Sequence, residues 1–175
     1  MIIFIVIAAL IPRATTALLN IPKACKNIYE QQYQMGLFLQ RYYRHKNIAA
    51  NDIGAIHYLS NAQILDLWGL SSMEVALEKR KDSFNTRVID QITKIHQIKI
   101  AILYEHWFKT YGGLPSEWIK VGEWTIRENV ICGGDTVSFY AVDPIEKESL
   151  INNLKEFSKE LPKDVFQVID GQILQ

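Results

Sequence analysis

Residues 51–76, NDIGAIHYLSNAQILDLWGLSSMEVA, contain the pattern that predicts the fold of this chain. A first short apolar run ends at Asp52, which Gly54 follows closely. A second ends at Asp66, which is followed by Gly69, and each run then leads into a stretch with helical character. Because polar groups collect at the carboxyl ends of strands in an α/β layer, this repeated arrangement predicts an α/β fold.

The rest of the chain supplies further elements of both kinds. Helices are predicted at residues 27–44, from about residue 73, at residues 84–95 and from the capping sequence Asp143-Pro144-Ile145-Glu146. Strands are predicted at residues 48–51, 64–67, 99–104 and 165–169, and residues 55–59 suit either a short helix or another strand. Residues 118–131 and 136–142 predict an antiparallel hairpin joined at Cys132-Gly133-Gly134-Asp135, where glycines would supply positive φ angles. We therefore expect a three-layer α/β sandwich with a mixed sheet, in which a parallel, Rossmann-like core adjoins the hairpin.

The sequence also predicts the buried side of the first helix and the N-cap of the helix at residues 84–95. In the first helix, Ile28, Met35, Leu39 and Tyr42 fall on one stripe, which predicts the side that packs on the sheet. In the helix at residues 84–95, Asp82 or Ser83 is the expected N-cap.

Size and charge narrow the class of protein. A chain of 175 residues fits one domain with a substantial core. Nineteen basic and nineteen acidic side chains cancel, so the chain lacks the broad positive field typical of nucleic-acid binding. We therefore expect no nucleic-acid partner.

The amino terminus is unusually apolar. Residues 1–11 carry no charged side chain and are followed by Pro12 and Arg13. The run is short for a membrane span, yet residues 14–19 lengthen it, so we interpret residues 1–19 as the tail of a membrane helix. A signal peptide and a buried first strand are the alternatives. Residues 20–26 are interpreted as a linker in which Pro22 breaks the helix, and residues 27–175 as the single α/β domain.

The two cysteines do not form a recognisable motif. Cys25 and Cys132 are far apart in sequence and have no neighbouring cysteine, which argues against a zinc site. A disulfide between them is possible in an oxidising compartment, but two buried free thiols are the favoured interpretation.

Asp52 and Asp66 are the strongest functional candidates. Carboxylates at neighbouring strand ends could bind a sugar hydroxyl, hold a metal or act as a general base. The simpler alternative is that each accepts backbone N–H groups in the turn that follows it, a common role for aspartate beside glycine. Asn51 would brace the same turn, and Gly54 and Gly69 would allow the chain to reverse.

Other candidate residues have weaker patterns around them. The four histidines are dispersed, but His57, with Tyr58 beside it, lies between the two acidic turns and is included in the candidate binding site. Tryptophan can stack on sugar rings or fill a core, and both interpretations apply to Trp68, Trp107, Trp118 and Trp124. The chain has no phosphate-binding glycine loop, metal motif or nucleophile elbow, so we expect neither a cofactor nor a metal.

One set of these residues also matches a known pattern. The residues Asn51, Asp52, Gly54, Tyr58, Asp66, Gly69 and Leu70 are arranged as in a family of soluble domains that this chain resembles from about residue 27 to residue 76. That domain follows the last membrane helix of bacterial polytopic membrane proteins of the dolichyl-phosphate-mannose mannosyltransferase-like (GT-C) type. The resemblance implies an extracytoplasmic domain attached to a membrane, in a protein that transfers sugar from a polyprenyl-phosphate carrier to an acceptor.

The same resemblance argues against catalysis by this chain alone. The catalytic acidic residues of such transferases lie near their first membrane helices, and that region has no counterpart here. The implied role is therefore acceptor binding or structural support. Two further hypotheses remain open: a freestanding α/β enzyme that uses Asp52, Asp66 and His57 in a strand-end cleft, and a protein interaction module.

Overall fold

A mixed seven-stranded sheet forms the centre of the molecule. The structure is a computed structural model that describes residues 2–174, with the side chains of residue 8 and residues 10–174. The strands are β1 Asn47–Ala50, β2 Gln63–Asp66, β3 Ile100–Leu103, β4 Ile119–Thr125, β5 Thr136–Ala141, β6 Phe166–Ile169 and β7 Gln172–Ile173. The helices are α1 Ile2–Ile28, α2 Gln34–Tyr42, α3 Gly54–Ser60, α4 Met73–Arg80, α5 Thr86–Ile95 and α6 Lys147–Phe157. A π-helical turn, Tyr29–Tyr33, joins α1 to α2, and 3-10 helices lie at Glu105–Tyr111 and Pro144–Glu146.

The sheet has a parallel half and an antiparallel half. Its strand order is β2-β1-β3-β5-β4-β6-β7. Strand β1 pairs in parallel with β2 and β3, and all the later pairs are antiparallel. Ala50 is opposite both Asp66 and Ile102, so the three parallel strands end at nearly the same level. The predicted combination of a parallel core with an antiparallel hairpin is confirmed.

Helices cover the sheet on two sides, which confirms the sandwich. On the first face, Phe38 of α2, Ile56 of α3 and Leu154 of α6 belong to one buried cluster with alternate residues of the strands. On the second face, Val75 of α4 and Ile89 of α5 pack in another cluster. Successive strand residues point to opposite faces, so both clusters draw on the same strands.

Aromatic packing on the first face joins the two halves of the sheet. The ring of Phe38 lies 5.7 Å from that of Trp124, 5.6 Å from that of Phe139 and 5.6 Å from that of Phe157. All four side chains are at most 1% exposed. Leu150 and Leu154 of α6 belong to the same buried cluster.

The predicted buried stripe of the first helix is partly wrong. Met35 and Leu39 are buried as predicted, but Ile28 is 40% exposed, whereas Gln31 and Gln32 are buried. A π-helical turn contains one residue more than an α-helical turn, so it changes which side chains face the sheet. Polar side chains are thereby directed towards the carboxyl ends of the parallel strands.

Helix α1 continues through Pro12 and Pro22, so the prediction that Pro22 breaks the helix is wrong. Residues 20–26, which the sequence analysis interpreted as a linker, belong to this helix. Its residues Leu18 and Leu19 are 66% and 73% exposed. Among the residues whose side chains are described, no helix combines the length and apolar character needed to cross a membrane. The membrane-helix prediction for residues 1–19 falls in part outside the described residues, which exclude residue 1 and the side chains of residues 2–7 and 9.

Two local predictions also need correction. Helix α5 is capped by Asn85, whose side chain accepts from the N–H groups of Arg87 and Val88, rather than by Asp82 or Ser83. Strands β4 and β5 do pair, but ten residues, 126–135, connect them. Gly133 and Gly134 have no positive φ angle, so their role is not to form a tight turn.

Candidate functional site

The order of the parallel strands creates a topological switch point at one edge of the sheet. The connection from β1 to β2 runs through α3 on the first face, and the connection from β2 to β3 runs through α4 and α5 on the second. The chain therefore leaves β1 and enters β3 on opposite sides. In open α/β sheets, such a switch point separates the loops at the carboxyl ends of the strands, and ligands bind there. We call this place the β1/β3 crevice.

Asn51 joins the two loops that flank the crevice. Its Nδ2 donates to the carbonyl of Tyr104 at 3.1 Å, and its Oδ1 accepts from the Tyr104 N–H at 3.0 Å. Asn51 is 2% exposed, so both bonds are shielded from water. The amide therefore braces the loop after β3, whereas the prediction that it braces its own turn is wrong.

A network of side chains from the π-helical turn continues from Tyr104. The Tyr104 hydroxyl donates to Gln31 Oε1 at 2.7 Å and accepts from Gln32 Nε2 at 2.7 Å. Gln32 Nε2 also donates to Asp52 Oδ2 at 2.8 Å. Gln31 Nε2 donates to the carbonyls of Gly134 and Asp135. The turn thus connects β1, β3 and the β4–β5 loop, and its position fits the frequent occurrence of π-helical turns at functional sites.

Asp52 has an open hydrogen-bonding position. It is half-buried, and Gln32 supplies the one hydrogen bond that its carboxylate accepts within the described part of the chain, so Oδ1 is free. Burial raises the pKa of Asp52, the Gln32 hydrogen bond opposes that rise, and the nearby Asp66 carboxylate adds to it. An acceptor held in this way suits a ligand that donates a hydrogen bond, such as a hydroxyl.

The carboxylate of Asp66, by contrast, accepts hydrogen bonds from backbone N–H groups. Its Oδ1 accepts from Trp68 N–H at 2.8 Å and its Oδ2 from Ser71 N–H at 2.7 Å. It is 1% exposed. The backbone-accepting alternative therefore holds for Asp66, and Gly69, with φ of +88°, closes the same turn.

Aromatic side chains form the outer part of the crevice. The rings of Trp68 and Trp107 are 4.7 Å apart, and Trp107 lies 5.6 Å from Tyr104. Both tryptophans are half-buried, whereas Trp118 and Trp124 are buried in the two cores. Apolar rings with exposed parts are suited to contact the apolar face of a sugar.

Gly133 allows these rings to pack closely. A Cβ atom there would lie 2.7 Å from atoms of both Trp107 and Tyr104. The Gly133 carbonyl accepts from Trp107 Nε1 at 3.1 Å, which fixes the indole. The glycine is needed for space, not for an unusual backbone angle.

Lys79 lies beside the outer tryptophan. Its Nζ is 3.5 Å from the Trp68 ring centroid, 4.9 Å from that of Tyr111 and 5.0 Å from that of Phe84. It donates to the Trp68 carbonyl at 3.0 Å. Burial lowers the pKa of Lys79, while the charge of Asp66 opposes that change. Cation–π contacts of this kind stabilise an ammonium away from carboxylates.

Cys132 is close to the network but is not an activated nucleophile. Burial, together with the charge of Asp52, raises the pKa of its thiol to about 11. The thiol is therefore protonated at neutral pH, and the thiolate is the reactive form. Both cysteines are free, as favoured from the sequence, but Cys25 is exposed, so the prediction that it is buried is wrong.

The other predicted site residues lie away from the network. His57 and Tyr58 are exposed on α3, and neither makes a described hydrogen bond or ion pair with Asp52 or Asp66. Gly54 begins α3 without a positive φ angle, and a Cβ atom at this position would meet nothing within 4 Å beyond its chain neighbours. The structure thus unites Asn51, Asp52, Asp66 and Gly69 at one edge and leaves the other three outside.

Several residues of the crevice were missed by the sequence analysis. They are Gln31, Gln32, Lys79, Tyr104 and Gly133. The unusual run of polar residues in an otherwise amphipathic helix, Glu30-Gln31-Gln32, was the available signal for the first two. Nothing local distinguishes Tyr104 or Lys79, whose partners are distant in sequence.

The side chains at the crevice differ in how far other protein groups engage them. Within the described residues, no three His, Cys, Asp or Glu side chains are grouped so that they could hold a metal ion. Tyr104 and Asp66 are fully engaged with protein groups. The crevice instead offers the Asp52 oxygen, two half-exposed indoles and an ammonium group.

The chain belongs to a family of domains described as Domain of unknown function (DUF8728), whose family model matches residues 26–140. The match begins before the π-helical turn and ends in β5, so it includes every residue of the crevice. No curated protein is significantly similar to the chain. No solved structure is significantly similar either.

Proposed function

We propose that this DUF8728 domain binds carbohydrate at the β1/β3 crevice, as the extracytoplasmic part of a membrane protein of the glycosyltransferase-like (GT-C) type. Its role is to hold a glycan or a sugar-bearing carrier, while the transfer reaction takes place in another part of the protein. The observation that carries the proposal is the free Asp52 oxygen next to the Tyr104–Trp107–Trp68 row of rings.

The contacts of the crevice support binding of a hydroxyl-rich ligand. A sugar hydroxyl donating to Asp52 Oδ1 would form a charge-assisted hydrogen bond, which is stronger than a bond between neutral groups. Burial of the carboxylate reduces competition from water. The indoles of Trp68 and Trp107 provide apolar area for a sugar ring. Carboxylate and aromatic groups together thus match the two surfaces of a carbohydrate.

The protonation of the nearby groups supports binding rather than covalent catalysis. The raised pKa of Cys132 keeps its thiol neutral. Burial likewise raises the pKa of the Tyr104 hydroxyl, which is already bonded to both glutamines. Neither group is prepared to attack a sugar, so the domain is expected to need a separate catalytic region.

Exposed apolar side chains on α1 support the membrane part of the proposal. Leu10, Ile11, Leu18, Leu19 and Ile21 are each more than half exposed. Apolar surface of this extent is unfavourable in water and is commonly covered by a membrane or a partner. In the proposed arrangement α1 leads from the lipid to the domain.

Tryptophan resonances provide the test of carbohydrate binding. A 15N-labelled chain would be titrated with mannose, glucose, galactose and N-acetylglucosamine, and the four indole N–H signals followed. We expect saturable shifts for Trp68 and Trp107 and no shift for the buried Trp118 and Trp124, which serve as internal controls. The absence of any saturable shift with this panel, and with their oligosaccharides, would contradict the proposal.

A matched pair of variants locates the ligand. Asp52→Asn removes the open anionic acceptor but keeps an oxygen for Gln32, and binding should weaken at least about tenfold. Asp90→Asn changes an aspartate that pairs with Lys94 on the surface of α5 and should leave binding unchanged. Equal affinities for the two variants would place the ligand elsewhere.

Vesicle flotation tests the membrane part separately. The chain should float with phosphatidylcholine vesicles, and the double variant Leu18→Glu, Leu19→Glu should stay in the soluble fraction. Both leucines are exposed, so the fold should tolerate the changes. Failure of the unchanged chain to float would remove membrane attachment from the proposal without affecting the sugar site.

A further inference from the structure

Lys79 is a half-buried cation without a carboxylate partner in the described part of the chain. Its Nζ makes one hydrogen bond, to the Trp68 carbonyl, and lies over the Trp68 ring. Asp66 is near enough to influence it electrostatically, but both Asp66 oxygens already accept backbone N–H groups. By contrast, Lys99 and Lys120, which are also close to the sheet, have carboxylate partners. The Lys79 ammonium therefore retains unused donors.

Lys79 lies at the outer end of the same row of side chains that begins at Asp52. Trp107 connects Tyr104 to Trp68, and the Lys79 ammonium lies over the Trp68 ring, the last ring of this row. Asp66 is within electrostatic range of both Asp52 and Lys79, which places the two at one edge of the sheet. The crevice thus has an open anion at one end, aromatic surface in the middle and an incompletely bonded cation at the other end.

We propose that the crevice selects an anionic carbohydrate, and that Lys79 binds the carboxylate or phosphate ester group of that sugar. This inference rests on the proposed carbohydrate-binding function and specifies its ligand class. The anion supplies the charge-assisted partner that Lys79 lacks, while a hydroxyl of the same molecule donates to Asp52. The competing explanation is that Lys79 only fixes the turn that contains Trp68.

Paired neutral and anionic sugars test the selection. Calorimetric titrations would compare glucose with glucuronate and mannose with mannose 6-phosphate, with inorganic phosphate alone as a third arm. The anionic member of each pair should bind about tenfold more tightly. Inorganic phosphate should bind more weakly than mannose 6-phosphate, because it cannot contact Asp52 and the indoles. If phosphate alone binds as well as the sugar phosphate, the site takes an adventitious ion only, and the inference is overturned.

Variants of Lys79 test whether this residue causes the preference for the anionic sugar. Lys79→Met should remove the preference for the anionic sugar, so that the neutral and anionic members of each pair bind with affinities that agree within about twofold. Lys79→Arg should keep most of the preference, since the charge is retained. The matched control is Lys81→Met, which removes an exposed lysine that pairs with Glu78, and it should keep the full preference. A purely structural Lys79 would instead lower the melting temperature and weaken both sugars equally.

The unchanged chain provides a test that does not depend on the folding of a variant. Raising the salt concentration from about 0.05 to about 0.5 M should weaken the anionic sugar and not the neutral one, since ions screen charge interactions. Neutral and anionic sugars that bind equally would overturn this inference and leave the proposed function intact. If the chain binds neither the neutral nor the anionic sugars, both this inference and the proposed function are overturned.

Discussion

The charged side chains of the two halves of the sheet differ in whether they have partners of opposite charge. In the antiparallel half, Lys120 of β4 pairs with both Glu105 and Glu123, so each of these charged side chains has a partner of opposite charge. In the parallel half, strand β3 is buried along its whole length, and charges appear at the carboxyl edge, where Asp52 keeps a free oxygen and Lys79 has no carboxylate partner among the described residues.

This difference is the reason for placing the proposed ligand at the edge of the parallel half. A parallel sheet is covered on both faces, so polar groups concentrate at its edge, whereas one face of an antiparallel sheet can meet water and satisfy its charges there. Groups left incompletely bonded beside half-exposed rings are suited to an external partner. The antiparallel half supports the domain, and the parallel half carries the crevice.

The largest expected effect concerns the core that joins the two halves. Phe38→Ala should reduce the free energy of unfolding by about 3–5 kcal/mol, because it removes ring contacts with Trp124, Phe139 and Phe157 and leaves a cavity. Urea denaturation measures the change. The control is Phe166→Ala in β6, where the side chain is 37% exposed, and its cost should be clearly smaller. Equal costs would mean that the halves do not depend on a common core.

The two aspartates of the parallel edge should respond differently to the same substitution. Asp66→Asn should reduce the free energy of unfolding by about 1–3 kcal/mol, because the side chain loses an acceptor for a backbone N–H. Asp52→Asn should not destabilise the domain at neutral pH. Chemical denaturation of the two variants under the same conditions decides the matter, and destabilisation by both would show that Asp52 is also structural.

The pH dependence of Asp52 follows from the direction of its pKa change. Burial raises its pKa above the ordinary value of 3.8, so the native state holds the proton more tightly than the unfolded chain. The stabilisation from this carboxyl is complete below pH 3.8 and is lost as the pH rises through the native pKa. Removing the ionisable group in Asp52→Asn should therefore flatten stability against pH above 3.8, measured by denaturation at several pH values.

Gly133 and Gly54 differ in the space that is available for an added Cβ atom, so alanine substitutions at the two positions should have different effects on stability. Gly133→Ala should cost about 1–3 kcal/mol, because its Cβ would be 2.7 Å from Trp107 and Tyr104 atoms. Gly54→Ala should be neutral or stabilising by up to about 0.5 kcal/mol, since alanine favours helix and the position is open. Thermal unfolding of both variants compares them. A neutral Gly133→Ala would contradict the close packing at the crevice.

The smallest effect concerns the two thiols. Iodoacetamide at a pH of about 8 should modify the exposed Cys25 at least about tenfold faster than Cys132, whose pKa is raised to about 11 by burial and Asp52. Peptide mass spectrometry measures each rate. Equal alkylation rates would indicate an open crevice.

The pKa of Cys132 also affects stability. Because the native pKa of Cys132 is raised, its contribution to stability should be lost as the pH rises from 9 towards about 11.

Local sequence was sufficient for most of the elements. Apolar runs that end in Asp or Asn identified β1 and β2, and Asp143 with Pro144 identified the start of the last helical region, where Asp143 accepts from Ile145 N–H. Strand β7 was not predicted, because a two-residue strand has too little pattern. The π-helical turn was also missed, since its register depends on contacts with the sheet.

The candidate site was only partly predictable. Asp52 and Asp66 have the same local sequence context, an apolar run followed by glycine, so both were assigned the same pair of possible roles. Their difference arises from Gln32, which reaches Asp52 from the π-helical turn, and from the turn that encloses Asp66. Lys79 could not be singled out, because its aromatic neighbours Phe84 and Tyr111 come from two other segments.

By itself the sequence determined the α/β class, the positions of most strands and helices, and the presence of polar residues at two strand ends, because side-chain periodicity and turn preferences act over a few residues. The tertiary structure decided which carboxylate stays open, which tryptophans remain half-exposed and which lysine lacks a partner. Those properties depend on burial and on hydrogen bonds between segments up to about a hundred residues apart, such as Gln31 and Gly134.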